Sequence, residues 1–120
     1  MQHDELVYLG QMFDCALRAR DMARGATKAE FDGNEMLRLA LRHLIQTTGE
    51  AARKVPDSLR AKMPGVPWAR IVGMRHRIVH DYDNIDDDVV WQVVTDEIPA
   101  LIQLLEPFVP PAYRRPKPKS

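Results

Sequence analysis

NEMLRLALRHLIQTTGEAARKV, residues 34–55, is the stretch on which the fold turns. Leu37, Ala40, Leu41, Leu44, Thr48, Ala51 and Val55 recur every three or four residues, which puts them on one face of an α-helix. Asn34 is a natural N-cap, because its side chain can accept from the free N–H groups of a first turn. Pro56-Asp57 stops the helix. Gly49 lies inside it at a propensity cost of roughly 1 kcal/mol relative to alanine, so the close approach of another helix is expected there.

The same period runs through both flanks. Residues 4–24 carry Leu6, Leu9, Phe13, Ala16 and Leu17 on one stripe, ended by Gly25. Thr27 followed by Glu30 reads as a capping box for a short turn containing Phe31. On the C-terminal side a short helix is predicted over 58–63, then a Pro64-Gly65-Val66-Pro67 turn. A fourth main helix is predicted over 67–80, burying Trp68, Ile71, Val72 and either Ile78 or Val79. Asp86, Asp87 and Asp88 crowd a further helix start, where carboxylates meet unpaired N–H groups. That last helix continues through Val90, Val93, Val94, Ile98, Leu101 and Leu105, with a kink expected near Glu97 because Pro99 cannot donate to the ladder. From Pro110 onward, proline and basic residues offer almost nothing to bury, which predicts a disordered tail. The fold class expected is all-α, an antiparallel helical bundle, with one domain over 1–108 and a tail over 109–120.

Composition is that of an ordinary globular chain, with 45% hydrophobic and 28% charged residues in 120. No apolar run reaches the length of a membrane span, and the N-terminus lacks the basic-then-apolar pattern of a signal peptide. The single cysteine, Cys15, has no internal partner, so a reducing, cytoplasmic setting is expected. Net charge is zero but segregated. Residues 38–77 hold nine basic and two acidic side chains, whereas 81–106 hold eight acidic and none basic. This could make a positive face for a polyanion, or two faces that pair with each other on folding.

Chemistry concentrates in Arg75-His76-Arg77-Ile78-Val79-His80-Asp81-Tyr82. Arginine is a permanent forked donor for phosphate oxygens, and histidine moves protons near neutral pH. Arg75 falls on a stripe running Trp68, Ile71, Val72, Arg75 and Val79, where an inward guanidinium must be paired or face a cleft. On an ideal helix Arg75 and His80 point roughly 140° apart. A compact site therefore needs a helix end, a distortion or a second chain. Cleavage through a 2′-hydroxyl wants a base and an acid on opposite sides of phosphorus, and a two-fold dimer would supply two histidines.

Other readings stay open at this level. His76 and His80 share a helical face, and Asp81 or Asp83 is nearby, so a metal site is conceivable. His80 could cap the helix C-terminus while Arg75 pairs with an acid of the last helix. Tyr82 reads as a boundary tyrosine. Cys15 has no histidine at helical spacing, and no phosphate-binding glycine loop occurs.

Arg75-x4-His80-x-Tyr82 resembles the Arg-x4-His-x-Tyr signature of HepT-like ribonuclease toxins in the HEPN superfamily. The flanks are similar too: Gly49-Glu50-Ala51-Ala52, the lead-in from Pro67-Trp68 to Met74-Arg75, and Val89-Val90-Trp91 after the acidic turn. The resemblance implies a four- or five-helix bundle, a homodimer whose interface holds both motifs in a cleft, and metal-independent RNA cleavage with tRNA as a substrate class. It implies catalytic roles for Arg75 and His80, with His76, Arg77 and Asp81 as supporting candidates, and no cofactor or metal. His76 departs from the asparagine often found after the arginine. The resemblance also implies a toxin of a type II or type VII-like pair, whose MntA-like nucleotidyltransferase antitoxin modifies Tyr82 with AMP. A helical docking or substrate-binding subunit for a nucleotidyltransferase is the alternative.

Overall fold

A computed structural model of the protein describes the backbone of residues 3–81 and 84–114, and side chains from 5–79 and 84–114. It is an α-helical bundle in which α1 (His3–Arg24) packs against both α3 (Glu35–Lys54) and α8 (Ile98–Leu105). Between them in sequence come α2 (Lys28–Asp32), α4 (Asp57–Arg60), α5 (Trp68–Val72), α6 (Met74–Ile78) and α7 (Asp87–Gln92). A π-helical turn, Val93–Glu97, joins α7 to α8, and 3₁₀ turns follow at Glu106–Phe108 and Pro111–Tyr113.

The two long helices form where the apolar period predicts them. On α1, Leu9, Met12, Phe13, Ala16 and Ala19 are buried; on α3, Leu41, Leu44, Ile45, Thr48, Ala51 and Ala52 are buried against them. Thr48 is tolerated inside because its hydroxyl donates to the Leu44 carbonyl at 2.7 Å. Capping follows the sequence. Asn34 Oδ1 accepts from Leu37 N at 3.0 Å. Thr27 and Glu30 close a reciprocal capping box, and α2 thereby presents Phe31 to Trp91, ring centroids 4.9 Å apart. Asp86 caps α7 by accepting from Asp88 N and Val89 N.

Gly49 is where the bundle comes closest. A Cβ there would lie 3.0 Å from the Ile71 carbonyl oxygen and 3.2 Å from Met74 Cβ. The missing side chain lets α5 and α6 settle directly on α3, as the sequence anticipates.

The predicted helix over 67–80 is not continuous. It breaks at Gly73 into α5 and α6, and the chain turns extended at Val79 (φ −84°, ψ 112°). A two-stranded antiparallel hairpin replaces its last turn, β1 (Val79–Asp81) with β2 (Asn84–Ile85), paired Val79↔Ile85 and Asp81↔Asn84 with an irregular register. The Ile78 carbonyl accepts from Asp86 N at 2.7 Å, which satisfies the helix end and fixes the entry to α7.

Near Pro99 the expected irregularity takes the form of the π turn: Ile98 N donates to Val93 O, five residues back. Proline lacks the N–H and crowds the carbonyl four residues before it, so the ladder widens just ahead. The tail expectation is corrected over 110–114. Val109 is buried, Arg114 donates to the carbonyls of Val109 and Glu106, and its guanidinium lies 4.9 Å from the Phe13 ring centroid. Gly10 admits this strap, since a Cβ there would fall 2.3 Å from the Tyr113 carbonyl oxygen. No helix among the described residues is long and apolar enough to cross a membrane.

Candidate active site

The core takes Ile71, Met74 and Ile78 from α5 and α6, at spacings of three and four. This corrects the inward placement of Arg75. Two stripes compete on this segment, one wholly apolar and one containing Arg75, and the apolar one wins because burying a guanidinium unpaired is prohibitive. Arg75 and His76 are exposed on the outer side of α6. Trp68, Val72 and Val79 are half-buried at the margin.

Arg75 has no ion pair or hydrogen bond to any side chain among the described residues. Neighbouring arginines behave differently. Arg77 Nη1 and Nη2 donate to the two Glu97 carboxylate oxygens at 2.8 and 2.6 Å. Arg70 joins the same carboxylate through Nε at 2.8 Å. Hydrogen bonds from Arg77, and less strongly from Arg70, pull the Glu97 carboxyl from its ordinary 4.5 to about 2, although burial opposes them. Between α3 and the start of α7, Arg42 Nε donates to Asp87 at 2.7 Å, and Arg38 stands 3.6 Å from the same carboxylate. The segregated charges of the sequence thus pair in part across the fold, and among the described residues Arg75 takes no part in that pairing.

His80 and Asp81 lie on β1, so the helix ends between Arg75 and His80. The 140° separation on an ideal helix no longer applies. The His80 and Asp81 side chains, and Tyr82 and Asp83 entirely, lie outside the described residues. Among the described residues no cluster of three or more His, Cys, Asp or Glu is placed to hold a metal ion. Cys15 is buried in α1, where burial and, secondarily, Asp14 push its thiol pKa up.

A groove of about 230 Å³ opens between α5–α6 and α8, lined by Pro67, Ile71, Met74, Leu101 and Leu104 with Glu97 at its rim. It includes neither Arg75 nor His76. Glu97 and Arg70 were not singled out from sequence. The available signal was an acid set seven residues after Val90 on the apolar helix, a position that demands a cation.

The architecture defines a small helical bundle in which a short, basic, outward-facing helix turn leads into a hairpin. Within that class, this chain belongs to the ribonuclease HepT-like family, whose profile matches residues 12–108. It is similar to "Putative RNase MJ1380" of Methanocaldococcus jannaschii, 29% identical over 105 residues covering 88% of this chain and 96% of the relative. "Putative RNase MJ0125" of the same organism is 31% identical over 80 residues, 67% of this chain and 69% of the relative. "Probable ribonuclease HepT" of Thermococcus cleftensis is 24% identical over 101 residues, 84% and 92% of the two chains. No solved structure matches the chain significantly.

Proposed function

We propose that the protein is a metal-independent endoribonuclease that cuts RNA, with tRNA as a candidate substrate, at a site composed of Arg75 and His80 from two copies of the chain. The observation that carries this reading is the exposed guanidinium of Arg75, which has no side-chain pair among the described residues while Arg38, Arg42, Arg70 and Arg77 around it are each paired with an acid. A permanent cation exposed on a folded surface can meet an external anion, and a phosphodiester is the anion that the family relationship supplies.

In the proposed reaction, one His80 imidazole takes the proton of a ribose 2′-hydroxyl as that oxygen attacks phosphorus. The second copy's His80 gives a proton to the departing 5′ oxygen, and Arg75 balances charge on the phosphoryl oxygens. His76 and Asp81 are supporting candidates. A homodimer follows from the need for two imidazoles on opposite sides of one phosphorus.

The proposed setting is a cytoplasmic toxin–antitoxin pair of type II or type VII-like organisation. An MntA-like nucleotidyltransferase would attach AMP to Tyr82, two residues past His80, adding a bulky anion that repels RNA phosphates. Incubation of the purified protein with total RNA and a chelator should give cleavage, and His80→Ala should abolish it while keeping fold and dimer. Equal cutting by His80→Ala would remove the catalytic assignment. After co-expression with the nucleotidyltransferase, mass spectrometry should find the adduct on Tyr82; an adduct elsewhere sinks that part. A docking subunit without activity is the second reading, and growth arrest on expression separates the two.

A further inference from the structure

Seven residues separate Val90 from Glu97, so on an unbroken α-helix the two would point within about 20° of each other. Val90 is fully buried, and a continuous helix would therefore drive the Glu97 carboxylate into the core. The π turn prevents this. Its extra residue passes the inward place to Ile98, which is buried, and leaves the Glu97 side chain at the margin with 29% exposure. There it meets α6. Arg77 is the residue that meets it, through two hydrogen bonds to one carboxylate, and Arg70 of α5 closes the triad.

The segment so gripped has little hold of its own. At five residues with no side-chain N-cap, α6 is far too short to be stable alone. Met74 and Ile78 anchor one side of it in the core. Those two contacts choose which face of α6 turns inward but leave the final few tens of degrees of its rotation to its flanks. Arg77 lies two residues, about 200°, from Arg75 around the helix. Tying Arg77 to the π turn on one flank therefore fixes the direction in which Arg75 leaves the other.

We infer that Glu97 is a positioning residue of the ribonuclease site: with Arg70 and Arg77 it forms a clamp that sets the rotation of α6 and so aims Arg75 at the scissile phosphate. The inference rests on the reading of Arg75 and His80 given above. It also assigns Arg77 to the clamp and not to the RNA, although Arg77 belongs to the basic motif. A bidentate ion pair to a carboxylate already uses its fork.

The test is steady-state cleavage of a single-stranded RNA at several salt concentrations, well below the melting temperature of each folded variant. Wild type and His80→Ala are run alongside Glu97→Gln, Arg77→Gln and the double variant. Glu97→Gln should lose roughly ten- to a hundred-fold in kcat, as for a misaimed catalytic group, without a rise in KM, because it frees two guanidiniums for phosphate. Arg77→Gln should lose kcat similarly while the salt dependence of KM keeps its slope. The double variant should be no worse than either single one, since both remove one clamp.

If Glu97→Gln keeps a kcat within about two-fold of wild type, the clamp is overturned. If Arg77→Gln instead raises KM and flattens the salt slope by about 0.7, Arg77 is a phosphate contact and the assignment is equally overturned. Should Glu97→Gln fail to fold, Arg77→Gln decides alone by the same two readouts. Failure of wild type to cut, or cutting by His80→Ala as fast as wild type, removes the ribonuclease reading and the clamp with it. Loss in His80→Ala alone removes only the clamp.

Discussion

Helices α3 and α6 both present an apolar face to the core, yet they hold their shape by different means. Across twenty residues, α3 has a side-chain cap at Asn34, basic residues in its last turn and a buried stripe from Leu41 to Ala52. Five residues long, uncapped and preceded by Gly73, α6 borrows its shape from α3, the hairpin and the π turn. A helix that stabilises itself must commit its residues to that task. One that is held from outside can leave Arg75 and His76 uncommitted on its open face.

The widest separation between the two regions should come from core truncation in the long-helix pair. Phe13 is almost wholly buried on α1, and Phe13→Ala should cost about 3–5 kcal/mol of stability. Urea unfolding measures this directly. The molecules still folded should retain their RNA cleavage, because the change is remote from α6. A loss under about 1 kcal/mol would mean that the α1–α3 seam is not the main source of stability.

At the junction of the two regions stands Gly49. Gly49→Val would force branched atoms into space that a single Cβ already fills against Ile71 O and Met74 Cβ. A loss of roughly 1–3 kcal/mol is expected from overpacking. Cleavage should fall further than the folded fraction, since α5 and α6 must shift. Parallel loss of stability and activity would show that α6 tolerates the displacement.

These contrasts also mark what sequence reading can reach. The long stripes, the Thr27–Glu30 box and the Asn34 and Asp86 caps are local patterns, and each was legible because its physics spans a few residues. Gly49 was legible only because a glycine inside a helix is itself a local cost that close packing can explain. The irregularity near Pro99 was legible for the same reason. The phase of α6 was not. Both the Ile71–Met74–Ile78 and the Trp68–Val72–Arg75 stripes satisfy helical spacing, and only packing against α3 chooses between them. The helix end at Ile78 was hidden because it depends on a hydrogen bond to Asp86 N, eight residues later. Pairing of Arg77 with Glu97 joins residues twenty apart. Of the site itself, the motif residues could be named, but that Arg75 is exposed and Arg77 clamped required the fold.

A smaller effect should appear in acid. Glu97 has a folded pKa of about 2 against an ordinary 4.5, so its pairing stabilises the fold fully above about pH 5. That contribution is lost as pH falls through the folded value. With Glu97 29% and Arg77 23% exposed, solvent screens the pair, leaving about 1 kcal/mol. Between about pH 5 and 2 the unfolding midpoint of wild type should therefore fall more steeply than that of Glu97→Gln. Identical slopes would show that other carboxylates carry the acid sensitivity.

The smallest change in stability belongs to the residue whose loss should matter most to function. Arg75 is exposed and makes no side-chain pair among the described residues, so Arg75→Ala removes no structural contact of the kind that costs more than about 0.5 kcal/mol. Arginine and alanine both favour helix, and the apolar anchors Met74 and Ile78 are untouched. The melting temperature should hardly move, whereas RNA cleavage should fall by two or more orders of magnitude, as for loss of a charge-stabilising donor, about 10²–10³. Arg77→Ala makes the sharper companion, because it should lose both stability and cleavage by breaking the Glu97 pair. If the pattern reversed, with Arg75→Ala destabilising the fold and sparing cleavage, the exposed guanidinium would be serving the protein and not a phosphate.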